Sequence, residues 1–443
     1  MKAVAAPHAD DAPAPAGRMI TLTCDRPAAG GTFVARHEGR VVFVRGSAPA
    51  ETVIARLVED PQEAAKARFW RAEAVEVLEP STDRVPTVWP EAGTDGVGGA
   101  DWAHIALPAQ RRIATEVLQE LLSRAKVTTF SPEDAQVEPA PGDRDGLGWR
   151  TRVRYAVDAA GRVGMRGWRS HDVRPVGSDP LAVRAISELD LPSWTPPRGT
   201  EALDVIAPSD GPVAVVIIGR DLDPAALELP ARLDGVDVSV QNSSGLHPVR
   251  GDGTVREKVG ERGFVVAQTG FWQSHRLAAE LLAEVVAVDL GVREGDTVWD
   301  LYGGVGLFAA GAARAAGAAG SVVSVEGGTR ATALATRNLG DLPGARAENG
   351  DCTQWVKRAI TSGARPDRVV LDPPRAGAGA ELMRLLCEAV GERIVYVSCE
   401  PSTLARDLAA AEAARWRVAD LRAVDLFPHT HHIESIAVLE RTA

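Results

Sequence analysis

The chain has 443 residues, 45% hydrophobic and 25% charged, a composition typical of soluble globular proteins with two or three domains. No apolar run approaches the roughly 20 residues that span a bilayer. The four cysteines lack the C-x-x-C spacing that would indicate a disulfide framework, a zinc site or an iron–sulfur cluster. The net charge is -11, yet seven arginines and only two acids lie between Arg150 and Arg174, so basic charge is concentrated in this segment.

The N-terminal part of the chain divides into a tail and a β-rich segment. Residues 1–17 are rich in Ala, Pro and Asp and lack the apolar stretch of a signal peptide, so we predict a disordered tail and a cytoplasmic protein. In residues 18–80, short β-rich runs alternate with Gly-Gly and Gly-Ser turns, which predicts a small five-stranded, OB-like barrel. An arbitrary β-domain without a ligand is the alternative. The predicted strands cover residues 19–23, 40–44, 52–58 and 71–78.

The middle of the chain, residues 81–270, has the least regular pattern. A helix is predicted over 106–124, because its apolar residues repeat on one face, and we expect this helix to pack on the C-terminal domain. Strands such as 150–157 and 213–219 alternate with Pro-rich loops, which predicts a central α/β region. The arginine-rich segment in this region indicates contacts with the phosphates of a nucleic acid.

Residues 271–443 alternate between helices and strands. Strands over 297–301, 321–325, 368–371 and 393–397 are separated by helical segments, the first of which covers 276–289. This spacing predicts a parallel, doubly wound sheet. In such sheets ligands bind beyond the carboxyl ends of the strands, so the residues that follow each strand are the candidate site.

The first two strands of this sheet end in residues suited to a nucleoside-containing cofactor. The turn from Asp300 to Gly306 resembles the glycine-rich turn of class I methyltransferases, where Gly304 and Gly306 would let the backbone approach a ligand at the start of a helix. Glu326 ends the second strand and can accept both ribose hydroxyls. Sites for NAD and flavin use similar devices. Asp351 lies where methyltransferases contact the adenine, although an isolated acid is more often a solvated surface group.

The last two of these strands, over 368–371 and 393–397, end in residues suited to chemistry. Asp372 is followed by two prolines, which fix a rigid turn, and Arg375 stands where amino-group methyltransferases carry an aromatic residue. Cys399 lies at the tip of the strand over 393–397, just before a predicted helix over 402–411 whose N-terminus would lower the pKa of the thiol. A small buried cysteine is the alternative reading. We favour a nucleophile because the residue lies at the ligand end of the sheet.

The last motif, residues 425–434, precedes a closing strand predicted over 435–440. Its histidines, His429, His431 and His432, crowd one loop without a carboxylate that could orient a metal ligand, so we expect no metal site. Glu434 is the better candidate for chemistry, as a base near the nucleophile.

Together these motifs resemble the RNA uracil-C5 methyltransferase family, which includes the bacterial rRNA and tRNA 5-methyluridine enzymes. The N-terminal segment resembles the TRAM module that accompanies many members and binds RNA. The motifs that carry the resemblance are Phe271-Trp-Gln-Ser-His275, Asp300-Leu-Tyr-Gly-Gly, Asp372-Pro-Pro-Arg-Ala-Gly377, Ser398-Cys-Glu-Pro-Ser-Thr-Leu-Ala-Arg-Asp407 and Phe427-Pro-His-Thr-His-His-Ile-Glu434.

The resemblance implies a class I, Rossmann-like methyltransferase domain over 271–443, a central RNA-binding region over 81–270 and the TRAM-like barrel over 18–80. It implies that Cys399 adds to C6 of a uridine, that S-adenosyl-L-methionine donates the methyl group and that Glu434 removes the C5 proton. The expected partner of the protein is RNA, and rRNA is favoured over tRNA because of the barrel. Neither a membrane nor an obligate protein partner is expected. The implied cofactor-binding residues are Gln273, Tyr302, Gly304, Gly306, Glu326, Asp351 and Asp372, and the implied RNA-binding residues are Arg150, Arg152, Arg154, Arg166, Arg169 and Arg375.

Three departures from the family pattern are visible. Many rRNA-modifying relatives hold a four-cysteine iron–sulfur cluster, whereas residues 89–102 contain no cysteine, so no cluster is expected. Glu400 and His275 each stand where the family usually has Asn, and a carboxylate beside Cys399 would raise the pKa of its thiol. Leu307 occupies a position where relatives often place a cofactor-binding Asn.

Two alternatives remain at this stage. The first is an RNA cytosine-C5 methyltransferase, although such enzymes usually carry a second cysteine near the position of Arg375. The second is a catalytically silent RNA-binding protein of the same fold, which the departures at Glu400 and His275 make conceivable. The presence of both Cys399 and Glu434 favours the enzyme.

Overall fold

The computed structural model describes residues 17–58, 68–168 and 170–442. The tail predicted over residues 1–17 therefore lies outside the described residues except for Gly17, and Arg169 also lies outside them. The chain forms two compact units, one made of residues up to 117 with 167–169 and 429–431, and the other made of the remaining residues. The predicted boundaries near residues 81 and 271, and the packing of the helix over 106–124, stay predictions.

The first unit contains a six-stranded, half-barrel sheet where the sequence predicted five strands. Its order is β1-β5-β6-β4-β3-β2, and β4 pairs with β6 in parallel while the other pairs are antiparallel. Alternating buried and exposed residues, as in β1, place one face of the sheet in the core. The strands are β1 Met19–Thr23, β2 Arg26–Ala28, β3 Thr32–His37, β4 Arg40–Arg45, β5 Thr52–Leu57 and β6 Phe69–Glu79.

The middle of the chain is mainly β-structure with short helices. The predicted helix over 106–124 is present as α1, Leu107–Ala125, and a second short helix is α2, Arg184–Ser187. A seven-stranded sheet has the order β10-β9-β8-β11-β12-β13-β14, and β15 and β16 form a hairpin. The strands are β7 Val137–Pro139, β8 Arg152–Val157, β9 Val163–Arg166, β10 Val173–Pro175, β11 Ala202–Ile206, β12 Ala214–Ile218, β13 Asp237–Asn242, β14 Gly245–Arg250, β15 Thr254–Val259 and β16 Arg262–Ala267.

The C-terminal part confirms the Rossmann-like fold predicted from alternating strands and helices. Its eight-stranded sheet has the order β19-β18-β17-β20-β21-β23-β22-β7. The helices are α3 Ala278–Leu290, α4 Leu307–Ala316, α5 Thr329–Leu339, α6 Cys352–Thr361, α7 Gly379–Ala389 and α8 Pro401–Ala413. The strands are β17 Thr297–Leu301, β18 Ser321–Glu326, β19 Ala345–Asn349, β20 Arg368–Leu371, β21 Arg393–Ser398, β22 Trp416–Asp425 and β23 Glu434–Arg441.

The sheet differs from the wholly parallel one predicted. Strands β17 to β21 are parallel, but β23 runs antiparallel to both β21 and β22. All four residues of β20 are buried, because helices cover both faces of the parallel part. Strands β19 and β22 were not predicted, since Ala345–Asn349 is largely polar and Trp416–Asp425 interrupts its apolar positions with charges. The antiparallel strand β23 begins at Glu434, one of the candidate site residues.

Within the described ranges, no helix is both long enough and apolar enough to cross a membrane.

Candidate active site

The carboxyl ends of three adjacent strands bring the candidate residues together. Leu301 at the end of β17 pairs with Leu371 at the end of β20, and Leu371 pairs in turn with Tyr396 in β21. Tyr302 and Asp372, which follow the first two strands directly, therefore lie at the same edge of the sheet. Cys399 follows β21 at this edge, as the spacing of strands and motifs predicted.

Glu434 reaches this edge from the antiparallel strand β23. Ser398 of β21 pairs with Ser435 of β23, and Cys399 and Glu434 are the next residues on the two chains beyond this last pair. The negative charge of Glu434 contributes to the raised pKa of the Cys399 thiol, so the two groups lie close together at the ligand edge. Cys399 is partly exposed, whereas the other three cysteines are buried.

A buried carboxyl group, that of Glu434, and a half-buried one, that of Asp372, lie close to this thiol. Burial raises the pKa of Asp372 to about 7, partly offset by a hydrogen bond from Gln273. Burial, followed by the nearby charge of Asp372, raises the pKa of Glu434 well above its usual value. Since Glu434 is only 3% exposed, its charged form has little access to water. The site therefore holds carboxyl groups that favour their protonated forms.

The prediction that the helix N-terminus lowers the pKa of Cys399 is wrong for this arrangement. Burial raises the pKa of the thiol to about 11, and the charges of Glu434 and Asp372 add to the increase while Arg375 opposes it. Desolvation and two acids outweigh the partial positive charge of the helix end, which acts only over the first turn.

Glu400, predicted to raise the pKa of the neighbouring thiol, has a structural role at the start of α8. Its side chain accepts hydrogen bonds from the Ser402 backbone at 3.4 Å and from Ser402 Oγ at 2.8 Å, which caps the helix. Glu434 and Asp372, rather than Glu400, are the acids that raise the pKa of Cys399.

The segment before α3 supplies a contact to Asp372. Gln273 Nε2 lies 3.5 Å from Asp372 Oδ2 and donates to it. Two residues further on, His275 Nδ1 accepts the backbone N–H of Leu277 at 3.1 Å, and its ring stacks on Trp149 at 5.8 Å. Burial lowers the pKa of His275 to about 4, so the ring is neutral and acts as a hydrogen-bond acceptor. An Asn side chain could accept the same bond, so His275 is compatible with the local structure.

The glycine-rich turn after β17 is held by Glu326. Glu326 Oε2 accepts the N–H of Gly304 at 3.1 Å, and Oε1 accepts the N–H of Gly328 at 2.6 Å. Tyr302, Gly304 and Gly306 all have positive φ, at 60°, 54° and 92°, and Gly306 begins α4. Nothing lies within 4 Å of the position that a Cβ on Gly304 would occupy, so this residue borders open space. The turn leaves room for a ligand beside a carboxylate.

Asp351 forms a local contact. Its Oδ1 accepts the N–H of Gln354 at 2.9 Å and caps α6 directly after β19. This is a structural task of the kind that a single acid often has. The second carboxylate oxygen of Asp351 can accept a hydrogen bond from a ligand at the same edge of the sheet.

The loop after Asp372 is tied to α8 by Asp407, a residue to which the sequence assigned no role. Asp407 Oδ2 accepts the N–H of Ala378 at 2.9 Å and the hydroxyl of Tyr396 at 2.8 Å. Arg375, in the same loop, lies 3.2 Å from the His432 ring nitrogen. The loop is therefore fixed beside Cys399. A buried acid within an Ala-rich helix was the signal that could have identified Asp407.

Comparisons with known proteins agree with this geometry. A family model described as tRNA (Uracil-5-)-methyltransferase matches residues 363–442. A curated protein of Streptomyces avermitilis described as an uncharacterized RNA methyltransferase is 41% identical, covering 94% of this chain and 96% of its own. One from Bifidobacterium longum with the same description is 35% identical, covering 94% and 95% respectively. The chain belongs to this family of RNA methyltransferases.

A solved structure has the same fold over nearly the whole length. The tRNA (uracil-54, C5)-methyltransferase of Pyrococcus abyssi, in complex with S-adenosyl-L-homocysteine, matches with a TM-score of 0.69 and 21% identity. The match covers 95% of this chain and 100% of the other. The family resemblance and the fold class stated from the motifs are thus confirmed.

The arginines expected to bind RNA in this methyltransferase differ in their surroundings. Arg152 is mostly buried and donates to the Gly270 carbonyl at 2.9 Å. Arg150 is also mostly buried, and its guanidinium forms an ion pair with the Asp179 carboxylate at 3.8 Å. Arg154 and Arg166 are exposed, although Arg154 pairs with Asp204 at 2.5 Å. Arg152 and Arg154 are two residues apart on β8 and therefore project to the same face, so the difference lies in what covers each side chain. The Gly270 segment lies against Arg152, whereas Arg154 contacts Asp204 on the neighbouring strand β11 and stays exposed. The expectation of phosphate contacts is therefore corrected for Arg150 and Arg152, because both side chains are mostly buried and contact other parts of the protein.

Proposed function

We propose that this RNA methyltransferase transfers a methyl group from S-adenosyl-L-methionine to C5 of a uridine, with Cys399 as the nucleophile and Glu434 as the base. The observation that carries the proposal is the proximity of Cys399, Glu434 and Asp372: the last pair of β21 and β23 is Ser398 with Ser435, and the charges of both acids act on the thiol just beyond it. The reaction needs a nucleophile and a proton acceptor that both reach the same uracil ring.

The residues at the strand ends fit S-adenosyl-L-methionine. The turn at Gly304 has open space for a ligand, and the Glu326 carboxylate stands at its side. Tyr302 borders the same turn, and Gln273 with Asp372 lies toward the thiol. Asp351 follows β19 at the far side, where the adenine would lie. We propose that these residues and Gly306 hold the cofactor, which when bound supplies an electrophilic methyl group.

The proposed chemistry uses the thiol and the carboxylate in turn. Uridine C5 is a weak nucleophile, so the Cys399 thiolate adds to C6 and the C5–C6 π electrons move onto O4 as an enolate. The enolate carbon C5 would then form a bond to the methyl carbon as the bond from that carbon to sulfur breaks, with S-adenosyl-L-homocysteine as the leaving product. Glu434 removes the C5 proton, the C5–C6 double bond re-forms and the C6–S bond breaks to release Cys399.

The electrostatics of the site suit this sequence. A thiol whose pKa is about 11 is protonated in the free protein, so it must lose its proton to solvent before it adds to C6, and the Glu434 carboxylate then remains available for the C5 proton. Burial makes the Glu434 carboxylate a stronger base than a solvated one, which favours proton transfer near neutral pH. Because the uracil ring must reach both the partly exposed thiol and the buried Glu434 carboxyl, we expect the target uridine to be flipped out of its stack.

We propose that exposed arginines guide the RNA. Arg154 and Arg166 lie on the surface of the central sheet, and Arg375 lies in the loop beside Cys399. For Arg154→Ala combined with Arg166→Ala, the slope of log affinity against log salt should fall by about 0.7 for each lost phosphate contact. Arg184→Ala, an exposed control paired with Glu188, should leave the slope unchanged. An unchanged slope in the double variant would remove these arginines from the proposed interface.

The class of RNA is a separate proposal. The barrel led us to favour rRNA, but the tRNA enzyme of known structure shares the fold over its full length, which weakens that argument. We retain rRNA as the proposed substrate and tRNA as the alternative outcome. Mapping 5-methyluridine in both RNAs from cells with and without the gene distinguishes the two.

Incubation of the protein with methyl-labelled S-adenosyl-L-methionine and RNA, followed by nucleoside analysis, tests the reaction itself. The proposal predicts label in 5-methyluridine. Label in 5-methylcytidine would favour the cytosine-C5 alternative, and label in no RNA nucleoside would refute the proposed reaction.

A further inference from the structure

An exposed aromatic ring lies next to the candidate active site. Phe271 is 73% exposed, the largest exposure among the large hydrophobic side chains of the described residues. It stands two residues before Gln273, whose amide donates to Asp372, so its Cα lies within about 7 Å of that of Gln273. The proposed mechanism assigns this ring no task.

The backbone that carries this ring is fixed on both sides. The Gly270 carbonyl accepts the buried Arg152 guanidinium at 2.9 Å, and the Ser274 carbonyl accepts the Thr151 N–H at 2.8 Å. Next to the ring, Trp272 is buried and packs against Phe264 at a centroid distance of 5.6 Å. The fold thus holds the segment rigidly while directing the Phe271 ring into solvent.

We infer that Phe271 is a stacking platform for a nucleobase that flanks the target uridine in the RNA. The inference rests on the proposed function of the same site. An aromatic ring exposed beside a nucleic-acid site can stack on any base, because every base has a π face. A ring held in place before binding loses little conformational freedom when the base arrives.

The burial of Glu434 indicates that the base stacked on Phe271 is not the target uridine itself. Glu434 is 3% exposed, so the target uridine must enter the interior to reach it and Cys399. The Phe271 ring remains at the surface, where a neighbouring base of the same strand would lie. The adenine of the cofactor is proposed to lie near Asp351, which follows β19, a strand separated from β20 by β17 and β18.

The test compares Phe271→Leu, Phe271→Trp and the control Val288→Ala, which removes an apolar side chain of similar exposure, 69%, from α3. Steady-state kinetics are measured on a transcript that the wild-type protein methylates. We expect Phe271→Leu to raise KM for RNA roughly 5- to 100-fold with kcat, melting temperature and S-adenosyl-L-methionine affinity unchanged. Phe271→Trp should restore KM because it restores a stacking ring, and Val288→Ala should behave as wild type.

Three outcomes would overturn the inference. These are a KM for Phe271→Leu within twofold of wild type, a loss that Phe271→Trp fails to restore, or a parallel loss of cofactor affinity, which would assign the ring to the cofactor. RNA affinity measured by filter binding separates this inference from the proposed function. If Phe271 contributes to RNA affinity while methyl transfer occurs at another atom, only the proposed function fails.

Discussion

The acids on the proposed cofactor side of the sheet edge and those on the proposed chemical side have opposite surroundings. On the cofactor side, Glu326 accepts backbone N–H groups from Gly304 and Gly328, so its charge is compensated before a ligand arrives. On the chemical side, Glu434 is buried and Asp372 is half-buried, both have raised pKa values, and Gln273 gives Asp372 one long hydrogen bond. The first arrangement fixes the conformation of the glycine-rich turn, whereas the second determines the protonation of the carboxyl groups proposed to take part in proton transfer.

The difference teaches how one sheet edge can serve two tasks. A carboxylate that accepts backbone N–H groups is held in one orientation, which suits recognition of hydroxyl groups. A desolvated carboxyl is costly to ionise and becomes a strong base once it has lost its proton. The two sides should therefore respond differently to substitution, pH and ligands.

Substitution of the proposed base should have the largest effect. Glu434→Gln removes the group that takes the C5 proton, so we expect turnover to fall by roughly 10²- to 10⁴-fold while S-adenosyl-L-methionine affinity is kept. Single-turnover methylation and calorimetry measure the two quantities. Glu440→Gln, on the same strand but in ion pairs with Arg393 and Arg417, is the control and should keep turnover.

The same variant should also change stability with a defined sign. A carboxyl whose pKa is raised by folding stabilises the protein below its unfolded pKa, and that contribution is lost as pH rises through the folded pKa. The melting temperature of Glu434→Gln relative to wild type should therefore increase from pH 5 to pH 8. A relative decrease would contradict the raised pKa of Glu434.

Substitution on the cofactor side should have a smaller effect, confined to binding. Glu326→Gln weakens the charge-assisted bonds to Gly304 and Gly328, each worth about 1.5–3 kcal/mol. We expect S-adenosyl-L-methionine affinity to fall roughly 10- to 100-fold, measured by calorimetry, with the reactivity of Cys399 toward iodoacetamide unchanged. A change in thiol reactivity without a change in affinity would reverse the assignment of the two sides.

The smallest expected effect is a shift in the titration of Cys399. Burial and two acids raise the pKa of this thiol to about 11. Alkylation of the wild-type protein should therefore be slow at pH 8, and its rate should increase as the pH rises toward about 11. Glu434→Gln and Asp372→Asn should each lower the apparent pKa, because each removes a neighbouring negative charge. Peptide mass spectrometry follows the modification at Cys399. A wild-type pKa below 9, or no response to either variant, would contradict the electrostatic account.

Much of the fold could be predicted because local patterns determine it. Apolar runs such as Arg368–Leu371 and glycine turns such as that before α4 identified the parallel strands and their connections. Strand β19 at the sheet edge and strand β22 beside the short edge strand β7 were not predicted, because polar residues interrupt the apolar pattern of both. Their pairing depends on long-range contacts that no local pattern carries.

The site could be predicted only in part for the same reason. The residues after each strand were identified from topology, but the proximity of Cys399 to Glu434 depends on the antiparallel pairing of β23 with β21. The pKa of Cys399 was predicted in the wrong direction because the helix N-terminus is visible in sequence, whereas burial by distant residues is not. The roles of Arg152 and Asp407 likewise depend on partners far away in sequence.

Incubation with RNA that contains 5-fluorouridine tests the central claim, that Cys399 is the nucleophile and Glu434 the base of one reaction. Fluorine at C5 cannot be removed as a proton, so methyl transfer should leave a covalent protein–RNA adduct that survives denaturation. We predict an adduct at Cys399 that requires S-adenosyl-L-methionine, is lost in Cys399→Ala and persists in Cys387→Ala. An adduct that persists in Cys399→Ala, or no adduct with an RNA whose uridine the protein methylates, would contradict the account.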